Sequence, residues 1–153
     1  CYTKAMKNNT RVRVIGDKTG LAKDLQESIR TLETDTAKNT GLQFQIAINY
    51  GSRDEMLRGM RQMMQDYKEG KITLEEVDEA HFSDYLDTAE IPDPDLMIRT
   101  SGEQRLSNYL MWQHAYSEFY FTDTPWPEFN KAELVKAIEA YTSRDRRYGK
   151  VKA

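Results

Sequence analysis

Apolar and polar residues alternate in two stretches of the chain, Arg11 to Gly16 (RVRVIG) and Leu42 to Gly51 (LQFQIAINYG). This period of two, together with the β-branched residues in both stretches, predicts two strands. Ala47 on the other face of the later stretch indicates that this face is also covered, so we expect that strand to be central. Between the strands, apolar residues from Leu21 to Leu32 are spaced three or four positions apart, which predicts a long amphipathic helix.

Two further helical segments flank this pair of strands. The first ten residues, CYTKAMKNNT, resemble the last turns of a helix. Because Cys1 is not a natural initiator, we expect a truncated start, with a tag remnant or a processed start as the alternative. A second long helix is predicted from Ser52 or Arg53 through Met64, and we assign its row of methionines to the core.

The rest of the chain predicts shorter elements. Thr73, with Glu76 three residues later, forms the pattern of a capping box, and another helical start is predicted near Ser83. The loop IPDPD then precedes a third strand, LMIR. The remaining predicted elements are a short segment around Leu106 to Gln113, an aromatic strand from Phe119 to Phe121, and a final helix from about Lys131 to Arg144.

This order of elements predicts the fold class. Strands separated by helices favour parallel pairing with right-handed crossovers. We therefore expect an α/β fold with a mostly parallel sheet flanked by helices. The sequence shows no repeat, low-complexity tract or linker, so we expect one domain over residues 1–153.

Charge and cysteine content narrow the classes of function. A formal net charge of -3 excludes a globally basic nucleic-acid binder, so any recognition of phosphate must be local. Cys1 is the only cysteine, which excludes a disulfide framework and a thiolate metal site and fits a cytoplasmic setting. No apolar stretch is long enough to span a membrane, so we expect at most peripheral membrane contact.

The densest group of candidate ligands is the segment DLMIRTSGEQRLSN. Ligands of open α/β sheets bind beyond the carboxyl ends of strands, and this segment begins where the third strand ends. Arg99 and Arg105 offer planar forks of donors that suit a diphosphate. Ser101 and Ser107 add hydroxyl groups, Gly102 lets the backbone approach a ligand, and a helical turn after Arg105 would direct free N–H groups at the anion.

A purely structural interpretation of these arginines is the alternative. Arg99 and Arg105 would then pair with Glu103 and another carboxylate on a solvated loop, as most surface arginines do. The convergence of several polar groups at one strand end favours the anion site.

Glu118 is the second candidate, because it lies in the apolar and aromatic segment AYSEFYF. A carboxylate is costly to bury unless it meets a cation, and Mg²⁺ bound to phosphate oxygens would meet that need. A glutamate at a strand start whose carboxylate reaches solvent explains the pattern equally well.

Other chemistry finds little support. The basic segment SRDRRYG, with Arg146, Arg147 and Gly149, follows the last helix, where cations complement the helix dipole. His81 and His114 lack the spacing of zinc ligands and an obvious nucleophile, so neither a zinc site nor a hydrolase triad is predicted. The sequence contains neither a phosphate-binding loop nor a dinucleotide fingerprint.

Longer motifs give a family resemblance. The segments RVRVIGD, NTGLQFQIAINYGSRDE, PDLMIRTSGEQRLSNYLMWQHAYSEFYF, WPEF and RDRRYG occur in the order seen in bacterial undecaprenyl diphosphate synthases. Over nearly its whole length the chain therefore resembles the C-terminal portion of this cis-prenyltransferase family.

The resemblance implies a reaction and roles for the candidate residues. Members of the family condense isopentenyl diphosphate sequentially onto an allylic diphosphate such as farnesyl diphosphate, with Mg²⁺, to make a polyprenyl diphosphate carrier lipid. By this resemblance, Arg99, Arg105 and Ser107 hold isopentenyl diphosphate, and Glu118 helps to hold Mg²⁺.

The resemblance also implies a homodimer. The segment from Asn49 to Glu55 and the helices beside it resemble parts of the family's dimer interface. The tail with Arg146, Arg147 and Gly149 resembles the segment that approaches the partner subunit's active site.

One family motif, DGNGRW, which carries the catalytic aspartate and the allylic diphosphate site, has no counterpart in the 153 residues. We therefore expect an N-terminally truncated fold and a chain that is inactive alone. The alternative is a non-catalytic partner subunit that binds isopentenyl diphosphate and completes another chain's active site. An unrelated phosphate-ester enzyme is disfavoured, because no nucleophile or base stands out.

Overall fold

The structure is a computed structural model that describes residues 2–144. The chain divides into two compact units, Cys1–Glu90 and Ile91–Ala153. Each unit contains a pair of parallel strands, which confirms the prediction of an α/β fold with parallel pairing. That the whole chain forms one domain stays a prediction.

The first unit consists of a crossover between two parallel strands, followed by helices. Its elements are α1 (Tyr2–Lys7), β1 (Arg11–Ile15), α2 (Lys23–Thr36), β2 (Gln43–Ala47), α3 (Ser52–Lys68), a 3₁₀ turn (Leu74–Glu76) and α4 (Glu79–Ser83). Arg11 lies opposite Gln43 and Ile15 opposite Ala47. Val12 and Val14 of β1 and Ile29 of α2 are buried, so the core lies where α2 packs on β1.

Side-chain oxygens occupy the edge of β1 that faces away from β2. The amides of alternate residues donate to them: Val12 to Thr36 Oγ1 at 3.1 Å, Val14 to Glu33 Oε1 at 2.7 Å, and Gly16 to Asp87 Oδ2 at 2.9 Å. Buried amides need partners, so these side chains satisfy the strand where a neighbouring strand would otherwise do so.

Two predictions for this unit are wrong in part. Within residues 2–144, β2 pairs with β1 alone, and Leu42 just before it is 68% exposed, so β2 is an edge strand instead of a central one. The methionine row of α3 reaches the core at Met63, whereas Met60 and Met64 are exposed. The row is wider than the face that α3 buries.

The short helices of this unit begin at side-chain caps. The predicted capping box is confirmed, since the Thr73 amide donates to Glu76 Oε2 at 2.7 Å. The following helix begins earlier than the predicted start near Ser83. Asp78 accepts the His81 amide at 2.8 Å and so begins α4 at Glu79.

The second unit places a second parallel pair against one helix. Its elements are β3 (Leu96–Arg99), β4 (Glu118–Phe121), a 3₁₀ turn (Trp126–Glu128) and α5 (Lys131–Thr142). Leu96 lies opposite Glu118 and Arg99 opposite Phe121. Asn130 caps α5 by accepting the Ala132 amide at 2.8 Å. Across residues 2–144, the structure contains no helix with the length and apolarity that a membrane crossing requires.

Candidate anion-binding site

Arg99 is the last residue of β3, and its side chain closes the loop that follows. Its Nη1 donates to the backbone carbonyl of Arg105 and to Ser107 Oγ, the latter at 3.2 Å. The structure thus brings Arg99, Arg105 and Ser107 together at the carboxyl end of the strand, as the sequence predicts.

The backbone amides of Ser101 and Gly102 are hydrogen-bonded to the segment that follows β4. The Ser101 amide donates to the Thr124 carbonyl and the Gly102 amide to the Thr122 carbonyl, both at 3.0 Å. A Cβ at Gly102 would lie 3.1 Å from Asp123 Oδ1. The glycine therefore permits close packing against Asp123, and the two amides are already used within the protein.

The loop from Ser101 to Leu110 is rich in left-handed backbone. Ser101, Ser107, Asn108 and Leu110 have φ values of 66°, 49°, 60° and 43°. Such conformations cost a residue with a side chain roughly 1–2 kcal/mol. A right-handed helix cannot continue through left-handed residues, so the predicted helical turn after Arg105 does not form. The expectation of free helix N–H groups there is therefore wrong.

Arg105 forms an ion pair with Glu103, and both side chains are exposed. This is the ion pair that the structural interpretation of the sequence predicts for Arg105. An exposed ion pair contributes only about 0–1 kcal/mol. A diphosphate carries more charge than one carboxylate, so it can displace Glu103 from Arg105, although the pair competes with it.

A pocket of about 260 Å³ opens beside these groups. Its lining consists of Met97, Ile98, Arg99, Arg105, Leu106, Ser107 and Tyr109. Burial raises the pKa of Tyr109, so its phenol stays protonated at neutral pH. The pocket combines cationic donors with an apolar wall, which suits an anion that carries a short hydrocarbon chain.

The apolar half of this pocket is not predicted from the sequence. Met97 and Ile98 were assigned only to a strand, and Leu106 and Tyr109 to a short segment. A signal was present, because Leu106 directly follows Arg105 and Tyr109 lies three residues later.

Glu118 is not part of this cluster. It begins β4 opposite Leu96, whereas Arg99 lies opposite Phe121. Glu118 and Phe121, the residue opposite Arg99, are three positions apart along β4. This places Glu118 about 10 Å along the strand from the level of Arg99, at the usual rise per residue. Glu118 is half-buried and accepts from Arg144 Nη1 at 2.7 Å.

Among residues 2–144, Glu118 has no neighbouring side chains that would complete a metal site made by the protein alone. In residues 2–144, no group of three or more His, Cys, Asp or Glu side chains is arranged to hold a metal ion. The remaining predicted site residues, Arg146, Arg147 and Gly149, lie outside the described residues.

Comparison with known proteins decides the family. The family described as "Putative undecaprenyl diphosphate synthase" matches residues 2–149. The chain belongs to this family. The prenyltransferase resemblance seen in the sequence is thereby confirmed.

Individual relatives agree with the family match. An isoprenyl transferase of Bacillus cereus is 49% identical over 146 residues, which are 95% of this chain and 57% of the relative. One from Clostridium perfringens is 47% identical over 145 residues, again 95% and 57%. The chain therefore spans a little over half the length of these prenyltransferases.

A solved structure agrees on the fold. Lavandulyl diphosphate synthase from Lavandula x intermedia, in complex with dimethylallyl diphosphate, superposes with a TM-score of 0.89 at 36% identity. The match covers 94% of this chain and 62% of that one. The predicted undecaprenyl diphosphate synthase-like fold is therefore confirmed.

Proposed function

We propose that this chain supplies the isopentenyl diphosphate site of a cis-prenyltransferase. The reaction is sequential condensation of isopentenyl diphosphate onto an allylic diphosphate of the farnesyl type, which gives a polyprenyl diphosphate carrier lipid. The observation that carries the proposal is the convergence of Arg99, Arg105 and Ser107 on a pocket with an apolar wall.

The two halves of the pocket match the two parts of this substrate. Arg99 and Arg105 bind the diphosphate, with Ser107 as a further donor. Met97 and Leu106 contact the five-carbon chain. In the reaction, the terminal alkene carbon of the isopentenyl unit bonds to the allylic carbon, the allylic C–O bond breaks, and the isopentenyl unit loses a proton. The pocket holds the nucleophilic alkene in a fixed orientation.

The relatives support this substrate class. The lavandulyl diphosphate synthase structure contains dimethylallyl diphosphate, which is a double-bond isomer of isopentenyl diphosphate. The two relatives named above are isoprenyl transferases.

Mg²⁺ would fit beside Glu118 if its ligands came from the protein, from substrate phosphate oxygens and from water together. Mg²⁺ in phosphate sites usually keeps several waters and binds one or two carboxylates plus phosphate oxygens. Glu118 would supply one such carboxylate, and its partner Arg144 would have to yield or share it. Bound Mg²⁺ would neutralise part of the charge on a diphosphate held beside Glu118.

We expect the 153-residue chain to be inactive by itself in prenyl transfer. DGNGRW is absent from its sequence, and the chain spans 57% of the isoprenyl transferases it matches. The alternative is that this chain is a non-catalytic partner subunit. In that case a separate chain carries the DGNGRW motif, and adding that chain restores activity. Activity that appears only when that chain comes from a different gene would favour the partner-subunit role.

A homodimer is the expected assembly. Leu57, Met60 and Met64 form an exposed apolar row along α3, and Phe44 of β2 is also exposed. Exposed rows of this kind are typical of protein interfaces. Within the predicted interface region, Ser52 and Glu55 are buried in the first unit, so the exposed row of the same helix, α3, is the part that a second copy would cover.

Titration of the chain with isopentenyl diphosphate tests the proposed function. We expect saturable binding with one site per chain and competition by inorganic diphosphate. If the chain binds inorganic diphosphate as tightly as isopentenyl diphosphate, the isopentenyl group adds no affinity. That result would contradict the role of the apolar wall. The absence of any binding would contradict the proposal as a whole.

A further inference from the structure

His114 is a buried polar residue that the site described above does not use. It lies in the turn before β4 and is only 5% exposed. Its ring packs against Tyr109 and Phe119, with ring centroids 6.1 Å and 5.9 Å away. Its Nδ1 lies 2.8 Å from Ser117 Oγ.

The hydrogen bonds around Ser117 assign the proton on His114. Ser117 Oγ lies 2.5 Å from the Pro94 carbonyl oxygen, which can only accept, so the hydroxyl proton points there. That proton is then unavailable for His114. The contact with His114 therefore requires an Nδ1–H that donates to Ser117 Oγ.

The other ring nitrogen has no such partner. With the proton on Nδ1, the neutral ring presents a lone pair at Nε2, which is buried without a hydrogen-bond partner in residues 2–144. Burial lowers the pKa of His114, and the opposing effect of Asp93 is smaller, so the ring is neutral at pH 7. The hydrogen bond to Ser117 is therefore the polar contact that distinguishes His114 from an apolar residue of similar size.

This hydrogen bond acts on the start of β4. Ser117 is joined through its hydroxyl to Pro94, and the next amide, that of Glu118, donates to the Asp95 carbonyl at 2.9 Å. Two consecutive residues before β3 are thus bonded to two consecutive residues at the start of β4. His114 orients the hydroxyl that makes the first of these bonds.

We infer that His114 is a positioning residue that, through Ser117 and Pro94, holds the start of β4 and so fixes where the Glu118 carboxylate is presented. Its functional meaning rests on the proposed role of Glu118 in holding Mg²⁺. Its structural content does not depend on that role.

Amide hydrogen exchange at Glu118 tests the inference directly. In His114→Leu, which removes the donor, we expect Glu118 exchange to rise by about threefold to tenfold, the range of one modest hydrogen bond. In His114→Asn, whose side-chain N–H is also attached to Cγ, exchange should stay within about twofold, because the bond to Ser117 is kept. The Thr122 amide, which donates to the Arg99 carbonyl at 3.0 Å, is the internal control.

Equal effects of Leu and Asn, or a rise at Thr122 as large as that at Glu118, would overturn the inference. If the Leu variant does not fold, Ser117→Ala removes the same bond and carries the same expectation. The proton itself is observed by imidazole NMR, with His81→Gln to assign the two rings. A neutral His114 that carries its proton on Nε2 would contradict the inference.

A binding measurement separates this inference from the proposed function. The Mg²⁺ concentration that half-maximally strengthens isopentenyl diphosphate binding should rise in His114→Leu and not in His114→Asn. If Glu118→Gln leaves that concentration unchanged, the metal role of Glu118 is wrong, while the exchange result still decides the positioning role of His114.

Discussion

Arg99 Nη1 and Ser107 Oγ are joined by a hydrogen bond of 3.2 Å that crosses the loop between them. The bond holds the guanidinium and the hydroxyl side by side, so both can donate to one diphosphate. We predict that Ser107→Ala weakens isopentenyl diphosphate binding by about tenfold, the lower end of the range for a hydrogen bond to a charged group. Calorimetric titration measures this effect. Ser28→Ala, which removes an exposed hydroxyl on α2, is the matched control and should change nothing.

The ion pair between Arg105 and Glu103 competes with the ligand. We predict that Glu103→Gln strengthens isopentenyl diphosphate binding, by at most about fivefold, because the pair contributes no more than about 1 kcal/mol. The gain should shrink as salt is raised, since exposed charges are screened. Glu27→Gln, which removes the partner of Arg30 in a similarly exposed pair, is the control. Weaker binding in Glu103→Gln would indicate that Glu103 positions Arg105 for the ligand.

Gly102 and Gly70 form a matched pair for testing the tight turn after β3. Both have φ of 70°, but a Cβ would meet Asp123 Oδ1 at 3.1 Å only at Gly102, whereas Gly70 has open space. We predict that Gly70→Ala lowers the free energy of unfolding by about 1 kcal/mol through the left-handed backbone alone. Gly102→Ala should cost more. Equal losses in urea unfolding would show that the contact with Asp123 is unimportant.

Asp87 makes the stability of the first unit depend on pH in the acid range. Burial alone would raise the pKa of Asp87, but the hydrogen bonds from Arg58 and from the Gly16 amide outweigh it and hold the pKa below its ordinary value. A carboxylate with a lowered folded pKa stabilises the fold above its unfolded pKa of about 4 and loses that contribution as the pH falls further.

We therefore predict that stability falls below about pH 4, and that Asp87→Asn flattens this part of the profile. Asp87→Asn should also be less stable at pH 7, because Arg58, which donates to both Asp87 oxygens at 2.9 Å, keeps only Asp54 as a charged partner. Chemical denaturation across the pH range measures both effects. A variant with the wild-type profile would contradict the assignment.

Local patterns predicted most elements, and the failures have physical reasons. The alternation in Arg11 to Gly16 and the capping box of Thr73 depend on neighbouring residues, so the sequence suffices for them. The exposure of β2 depends on which strands pair with it, and alternation carries no such information. The left-handed residues at Ser107 and Leu110 gave no signal, because neither is a glycine or an asparagine.

The candidate site shows the same division. Arg99, Arg105 and Ser107 were predicted because charge and hydroxyl groups stand out in a sequence. The wall formed by Met97 and Leu106 was missed, because apolar residues are ambiguous between core and ligand contact. The level of Glu118 relative to Arg99 is set by strand register, which the sequence does not reveal.

Titration of Arg99→Ala with isopentenyl diphosphate tests the central claim most directly. Removing a charged hydrogen-bond donor from the cluster should weaken binding by about tenfold to hundredfold. Arg30→Ala, an exposed arginine paired with Glu27 on α2, should bind as the wild type does. If Arg99→Ala and Arg30→Ala bind isopentenyl diphosphate equally well, the carboxyl end of β3 is not the diphosphate site and the account is wrong.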